Sequence, residues 1–167
     1  MTAMTIERFI RLEETQHVPD AARVLFERKY KNAIPDFPHH IVAYYRASGG
    51  AEVPACYIHF TDCGDILLGG GACVDDRVLR KMSADERNAL RTVGGIYQFA
   101  LTWSVRHFSD RFAAVFGYCG DALAERVDRA AGFESTAYDR LLVYWTREVD
   151  AERRHRMVEK AQAFTPF

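Results

Sequence analysis

The chain has 167 residues, close to the usual size of one domain and long enough to bury about two-thirds of the surface of its unfolded form. It carries 22 Lys and Arg against 23 Asp and Glu, so a general role in binding nucleic acid or an anionic membrane is not expected. Hydrophobic residues make up 49% of the chain and charged residues 27%, which is typical of a folded protein with a substantial core.

Two features of the chain indicate a cytoplasmic protein. The longest uncharged stretch covers residues 92–105, which is shorter than the roughly 20 apolar residues of a membrane-spanning helix. A secretory signal would need an apolar run near the amino terminus, where this chain has Glu7, Arg8, Arg11, Glu13 and Glu14. The four cysteines are sparse and irregularly spaced, which favours free thiols over a disulfide framework.

The first half of the chain predicts a strand, a helix and three further strands. Apolar residues alternate with charges over residues 6–12, and a proline and an aspartate then precede a helix over residues 21–31. β-Branched and aromatic residues separated by turn signals predict consecutive strands over residues 40–46, 53–61 and 66–74.

Three adjacent glycines, Gly69, Gly70 and Gly71, interrupt the last of these strands. Glycine weakens a strand, and inside one it usually marks a bulge or the close approach of a ligand or another backbone. Both interpretations are open at this point.

A capping pattern predicts that the next helix begins at Ser83. Helical character continues to residue 107 or 108, but Gly94 and Gly95 interrupt it. One continuous helix would accept a cost of about 1 kcal/mol for each glycine. We favour instead a short helix that ends near Leu90 and a second that begins around residues 93–95, which would leave the N–H groups of residues 93–96 free.

The last third of the chain predicts a strand over residues 113–118, a helix over residues 122–131 that Gly132 ends, a very short strand near residues 135–138 and a strong strand over residues 141–145.

The resulting order of elements is β, α, β, β, β, α, β, α, β. Because helices separate only some of the strands, this order predicts an α/β protein with a central mixed sheet and helices on its faces. Charge density rises after Arg147, so we expect residues 1–149 to form a single domain and residues 150–167 to form a polar helical tail.

This order resembles that of the GNAT superfamily of acyl-CoA-dependent N-acyltransferases. Members often carry N-x-x-A-x-x-x-Y-x-x-x-G-F on the helix that follows the fifth strand, and the same spacing here places Asp121, Ala124, Asp128, Gly132 and Phe133. Asp121 is a conservative replacement as a helix cap. Asp128 stands where many members have the tyrosine that protonates the departing CoA thiolate.

A second signature of the superfamily, [RQ]-x-x-G-x-[GA], binds the CoA pyrophosphate with N–H groups at a helix amino terminus. Arg91 and Gly94 match this signature, and Ile96 replaces its final small residue. The resemblance also implies that the strands at residues 66–74 and 113–118 are parallel and part at their carboxyl ends, where pantetheine amides pair with exposed backbone. It therefore implies acetyl-CoA or another acyl-CoA as co-substrate, held by Cys73, Val74, Arg91, Thr92, Val93, Gly94, Gly95, Ile96 and Asp121.

Acyl transfer to an amine needs a proton donor near the leaving sulfur. Tyr118 ends the fifth predicted strand, and we take it as the candidate acid in place of the tyrosine missing at Asp128. Asp128 itself is expected to be a solvated partner of Arg126 or Arg129.

The attacking amine must also be neutral, which calls for a base. His59 is the candidate, because it shares one face of a predicted strand with Tyr57 and an imidazole titrates near neutral pH. We expect these two side chains to line an acceptor pocket with His39 or His40.

The cysteines do not indicate a metal site or a covalent mechanism. The spacing of Cys56, His59, Cys63 and Cys73 invites a zinc site. Residues 56 and 59 are separated by an odd number and lie on opposite faces of a strand, so we expect no metal. Cys119 would need a base and an orienting group that the sequence does not identify.

These observations predict a cytoplasmic enzyme that moves an acyl group from an acyl-CoA to a small-molecule amine by direct attack. Neither nucleic acid nor a membrane is expected as a partner, and a homodimer is left open. One alternative is a GNAT-shaped protein without turnover that binds CoA or another small ligand, or acts through an interface. Another is an N-acyl synthase that uses an acyl-carrier protein, for which Phe26, Arg28 and Tyr30 in the first helix are the only indication.

Overall fold

The structure, a computed structural model, describes residues 4–167. The strands are β1 (Ile10–Thr15), β2 (His39–Arg46), β3 (Glu52–Cys63), β4 (Ile66–Val74), β5 (Ala114–Tyr118), β6 (Glu134–Ser135) and β7 (Leu141–Trp145). The helices are α1 (Asp20–Tyr30), α2 (Asp76–Lys81), α3 (Ala84–Thr92), α4 (Ile96–His107), α5 (Ala122–Ala130) and α6 (Ala151–Gln162).

The strands form one sheet in the order β1-β2-β3-β4-β5-β7-β6, in which β4 and β5 are parallel and the other neighbours antiparallel. The predicted mixed sheet is therefore confirmed.

Two elements differ from the prediction. Residues Ile6–Arg8 form a 3-10 turn, so the first strand begins only at Ile10, and the sequence pattern does not predict α2, whose N-cap is Asp75.

Alternating residues of the strands build apolar cores on both faces of the sheet, because successive side chains of a strand point to opposite faces. Leu67 and Val115 pack with residues of α2, α3 and α4 on one face. Ile66 and Phe116 pack on the other face against α6, which buries Met157. The C-terminal helix thus covers the sheet, and the proposed division of the chain at residue 149 stays a prediction.

The parallel strands β4 and β5 part before β4 ends. Their register runs from Ile66 opposite Ala114 to Gly69 opposite Gly117, and β4 then continues to Val74 without a partner on that side. The predicted divergence at the carboxyl ends is confirmed. It leaves an edge of unpaired backbone in the middle of the sheet.

The three glycines lie where this separation begins, and the protein's own rings occupy the space above two of them. A Cβ atom on Gly70 would lie 1.8 Å from Nε2 of His59, and one on Gly71 would lie 2.9 Å from Cζ of Tyr30. The pairing of β3 with β4 also shifts register around His59. The bulge interpretation is therefore confirmed, and these glycines admit aromatic side chains of β3 and α1. The close approach of a ligand stays a prediction.

We expect Gly70→Ala to lower the free energy of unfolding by about 1–3 kcal/mol, because the new methyl group forces His59 out of its packed position. Denaturant unfolding at pH 7.5 measures this loss. Gly120→Ala is the matched control, since a Cβ atom there meets nothing within 4 Å. Its effect should stay within about 0.5 kcal/mol. Equal losses in both variants would contradict the assigned role of Gly70.

Candidate active site between β4 and β5

Two adjoining cavities lie where β4 and β5 part. The first, of about 500 Å³, is bounded by residues of β3, β4, β5, α1, α4 and α5. The second, of about 570 Å³, lies between α1, the carboxyl end of β4 and α5. The two share Lys29, Ala72, Tyr97, Asp121 and Ala124, so they lie side by side, and we refer to them together as the crevice.

The residues of the expected cofactor site fall into two groups. Cys73, Val74 and Asp121 line the second cavity. The residues of the other group lie at the junction of α3 and α4 and do not line either cavity; they are Arg91, Thr92, Val93, Gly94, Gly95 and Ile96. The adjacent residue Tyr97 lines both cavities, so the amino terminus of α4 lies at the edge of the crevice.

Two separate helices, α3 and α4, flank the two glycines, so the prediction of a broken helix is confirmed. Gly94 and Gly95 have φ angles of 83° and 100°, in the left-handed region that glycine adopts without steric cost. The break lets α4 start in a new direction at Ile96.

The expected phosphate donors need a correction. The N–H groups of Val93, Gly94 and Gly95 already donate to carbonyls at the end of α3, at distances of 3.2, 3.1 and 2.9 Å. The tight turn uses these N–H groups to cap α3, so they are not free for a ligand. The donors without an acceptor inside α4 are those of its first turn, which starts at Ile96.

Asp128 is buried in the wall of the first cavity, with 6% of its surface exposed. The thiol of Cys119 donates to its Oδ2 atom at 3.2 Å, and the hydroxyl of Tyr97 donates to its Oδ1 atom at 3.4 Å. The expectation of a solvated partner for Arg126 or Arg129 is therefore wrong, because α5 turns Asp128 towards the sheet and not towards solvent.

The surroundings of Asp128 shift its protonation. Burial raises its pKa to about 6, against the opposing effect of the hydrogen bonds from Cys119 and Tyr97. Burial and the nearby carboxylate raise the pKa values of the Cys119 thiol and the Tyr97 hydroxyl. Both groups therefore stay protonated and donate to Asp128, and Cys119 is not activated as a thiolate nucleophile.

Tyr118, the candidate acid, also lines the first cavity. Its half-buried ring packs near Phe167, with the ring centroids 6.1 Å apart. The structure thus brings Tyr118 and Asp128 to the same cavity, and the role of Tyr118 as proton donor stays a prediction.

His59, the candidate base, lines the same cavity with its ring held on both sides. Its Nε2 atom accepts the N–H of Gly71 at 2.8 Å, and its ring stacks on Phe37 with centroids 3.9 Å apart. Its Nδ1 atom is buried and has no hydrogen-bond partner within residues 4–167. Burial and the neighbouring His40 lower the pKa of His59 to about 4, so the ring is neutral at neutral pH and is a weak base. Its catalytic role stays a prediction.

The expected neighbours of His59 do not line the cavity. Tyr57 does share a face with His59, and its hydroxyl lies 2.6 Å from Nδ1 of His40. Phe26 of α1 packs on the Tyr57 ring, and neither Tyr57 nor His40 lines the cavity. His39 instead contacts Glu14 at 2.7 Å, away from this cluster. The expected acceptor pocket with His39 or His40 is therefore wrong.

Sequence reasoning missed the contribution of α1 to the crevice. The hydroxyl of Tyr30 donates to the carbonyl oxygen of Ala72 at 2.8 Å, and the ammonium group of Lys29 contacts the same oxygen. These donors satisfy a carbonyl on the edge of β4 that β5 leaves unpaired. The aromatic and basic residues of this helix were the available signal.

Within residues 4–167, no helix has the length and apolar character needed to span a membrane. The same residues contain no group of three His, Cys, Asp or Glu side chains arranged for a metal ion. All four cysteines are free thiols. The expected cytoplasmic location stays a prediction.

Comparison with known proteins identifies solved structures that have a similar fold. No family model matches the sequence, and no curated protein matches it. The ribosomal-protein-S18-alanine N-acetyltransferase from Escherichia coli has a similar structure, with a TM-score of 0.51 and 11% identity over 84% of this chain and 97% of its own. The protein therefore has the fold of the GNAT acetyltransferases, which confirms the predicted fold class.

Two further solved structures have lower scores. The AtaTR complex bound with acetyl-CoA gives a TM-score of 0.45 at 10% identity, over 92% of this chain and 98% of the other. AtaT complexed with acetyl-methionyl-tRNAfMet gives 0.43 at 10% identity, over 89% and 98%. The expected absence of a nucleic-acid partner stays a prediction for this chain.

We expect the buried His59 to make the protein less stable in acid. Its pKa is about 4 in the folded chain against an ordinary value of 6.5, so the unfolded chain binds the proton first as pH falls. This group should therefore remove about 2–3 kcal/mol of stability between pH 6.5 and pH 4. Denaturant unfolding of the wild type and His59→Gln at several pH values isolates the effect, and His155→Gln on the exposed face of α6 is the control. If the free energy of unfolding had the same pH dependence in all three proteins, His59 would not be the cause of the acid instability.

Proposed function

We propose that the protein is an N-acyltransferase that moves the acyl group of an acyl-CoA to an amine. The parting of β4 from β5 after Gly69 and Gly117 is the observation that carries this proposal. It opens a crevice with unpaired backbone on one wall, and a narrow polar chain such as pantetheine fits such an edge through amide hydrogen bonds.

The residues along the second cavity fit an acyl-CoA. Cys73 and Val74 lie on the unpaired part of β4 and would pair with the pantetheine amides. Arg28 and Lys29 line the same cavity from α1 and supply positive charge for phosphates. The first turn of α4 adds free N–H groups and the positive end of a helix dipole, with Arg91 nearby in the chain. Acetyl-CoA is the co-substrate we favour.

The first cavity fits the acceptor. Its wall contains the aromatic rings of Tyr30, Phe60, Phe116 and Tyr118, which keep water away from the reacting atoms. A bound acyl-CoA would supply a thioester carbonyl at the junction of the two cavities. Tyr118 is our proposed donor of the proton that the departing thiolate takes. We propose a small-molecule amine as the acceptor, since the chain has no excess of positive charge to bind a nucleic acid.

We expect Ala124→Trp to weaken the binding of acetyl-CoA at least tenfold, because Ala124 faces both cavities and the indole would fill their junction. Titration calorimetry with acetyl-CoA measures the affinity. Ala130→Trp, on the exposed surface of the same helix, is the matched control and should bind as the wild type does. No binding to the wild type would refute the cofactor site, and binding without turnover would support the non-catalytic alternative.

We expect Tyr118→Phe to lower kcat by about 100-fold, because the variant lacks the proposed proton donor while keeping the ring. The assay follows thiol release from acetyl-CoA with methoxyamine, a small amine that stays unprotonated near neutral pH. Affinity for acetyl-CoA should not change. Full kcat in Tyr118→Phe would exclude this residue as the acid.

A further inference from the structure

Asp128 is a buried carboxyl group in the wall of the acceptor cavity, and its surroundings are built around it. A Cβ atom on Gly117 would lie 2.5 Å from Oδ2 of Asp128, so the absence of a side chain at that position makes room for the carboxylate. Gly117 is also the last residue of β5 that pairs with β4. The carboxylate therefore lies beside the point where the strands part.

The partners of Asp128 within residues 4–167 are neutral donors. Cys119 donates from the turn after β5 and Tyr97 from α4, each to a different oxygen. An arginine or lysine in this position would hold the carboxylate permanently ionised, whereas neutral donors leave it able to take up a proton. A carboxylate oxygen has more than one lone-pair direction, so each oxygen retains capacity for a further donor.

The other candidate bases of the first cavity are committed elsewhere. His59 uses Nε2 to accept the N–H of Gly71. Asp121 is exposed and caps α5 by accepting the N–H of Ala124 at 2.8 Å. Among the described residues that line this cavity, Asp128 alone combines burial, a carboxylate and the absence of a cationic partner.

We propose that Asp128 is the general base of the acyl transfer, taking the proton that the attacking amine loses. This inference rests on the proposed function and replaces the role expected of His59. The amine acceptor then needs a protonatable nitrogen within hydrogen-bond distance of a carboxylate that lies in an apolar wall.

The proton balance of the step is complete. The amine nitrogen forms a bond to the thioester carbonyl carbon, and its proton passes to an Asp128 oxygen. The carbon–sulfur bond then breaks, and the thiolate takes a proton from Tyr118. The proton on Asp128 returns through solvent to the Tyr118 phenolate, so the products are an amide and a free thiol.

The titration of Asp128 suits this role, because a carboxylate of pKa about 6 is mostly ionised at neutral pH and remains basic enough to accept a proton. The groups that face it are Cys119 from the turn after β5 and Tyr97 from α4. The remaining titratable groups around the first cavity are Lys29, Tyr30, His59, Tyr118 and Asp121.

The first experiment compares Asp128→Asn with the wild type in the methoxyamine assay. The amide keeps the shape and a hydrogen-bond acceptor but does not take up the proton, so kcat should fall at least tenfold while calorimetric affinity for acetyl-CoA stays within twofold. Asp139→Asn, whose side chain is 97% exposed, is the matched control and should retain full activity. Unchanged kcat in Asp128→Asn would overturn the role of Asp128 and leave the proposed function standing.

The second experiment measures a property that a purely structural carboxylate would not change. Cys119→Ala removes a hydrogen bond that stabilises the charged form of Asp128, so the acid limb of the wild-type pH–rate profile should move upward by about 0.4–1 pH units. An acid limb that stays in place would overturn the assignment even if Asp128→Asn failed to fold. Failure of the wild type to bind acetyl-CoA would instead overturn the proposed function, and this inference with it.

Discussion

The parting of two parallel strands governs the arrangement of the whole molecule. Backbone N–H and C=O groups in a sheet need partners, and β4 loses those of β5 after Gly69. Close to this opening, Tyr30 and Lys29 of α1 donate to the Ala72 carbonyl. At the neighbouring register shift between β3 and β4, the Gly71 N–H donates to His59 of β3. The two cavities lie at this opening, and α1 forms one wall of both.

Charge is distributed around the opening according to burial. At the exposed rim α1 places Arg28 and Lys29, where solvated cations cost little and attract phosphates. Deeper in the crevice, burial raises the pKa of Asp128, which is held by two neutral donors. An acyl-CoA that lies along the crevice would therefore have its phosphates at the positively charged rim. Its thioester would lie at the apolar end, beside the Asp128 carboxylate.

Local patterns predicted the parts of the fold that depend on local chemistry. Ser83 and Glu86 form the expected capping box. The glycine pair predicted a break between two helices, and Gly94 does adopt the positive φ angle that such a break uses. Local sequence patterns do not predict contacts between residues that are distant in the sequence. The expected solvation of Asp128 failed because its helical position does not reveal that Gly117 leaves room beneath it. The ring of His59 likewise finds its partner only after the register shift brings Gly71 opposite it.

The contact between α1 and the Ala72 carbonyl makes the crevice a site of competition. A ligand that pairs with this carbonyl must first displace the Tyr30 hydroxyl and the Lys29 ammonium group, so ligand binding and the docking of α1 are alternatives at one oxygen atom. The apparent affinity for such a ligand is its intrinsic affinity scaled by the fraction of molecules in which α1 has released that oxygen. By the same relation, a change that releases this oxygen and leaves the rest of the cavity wall in place raises the apparent affinity, even where the changed residue contacts no atom of the ligand.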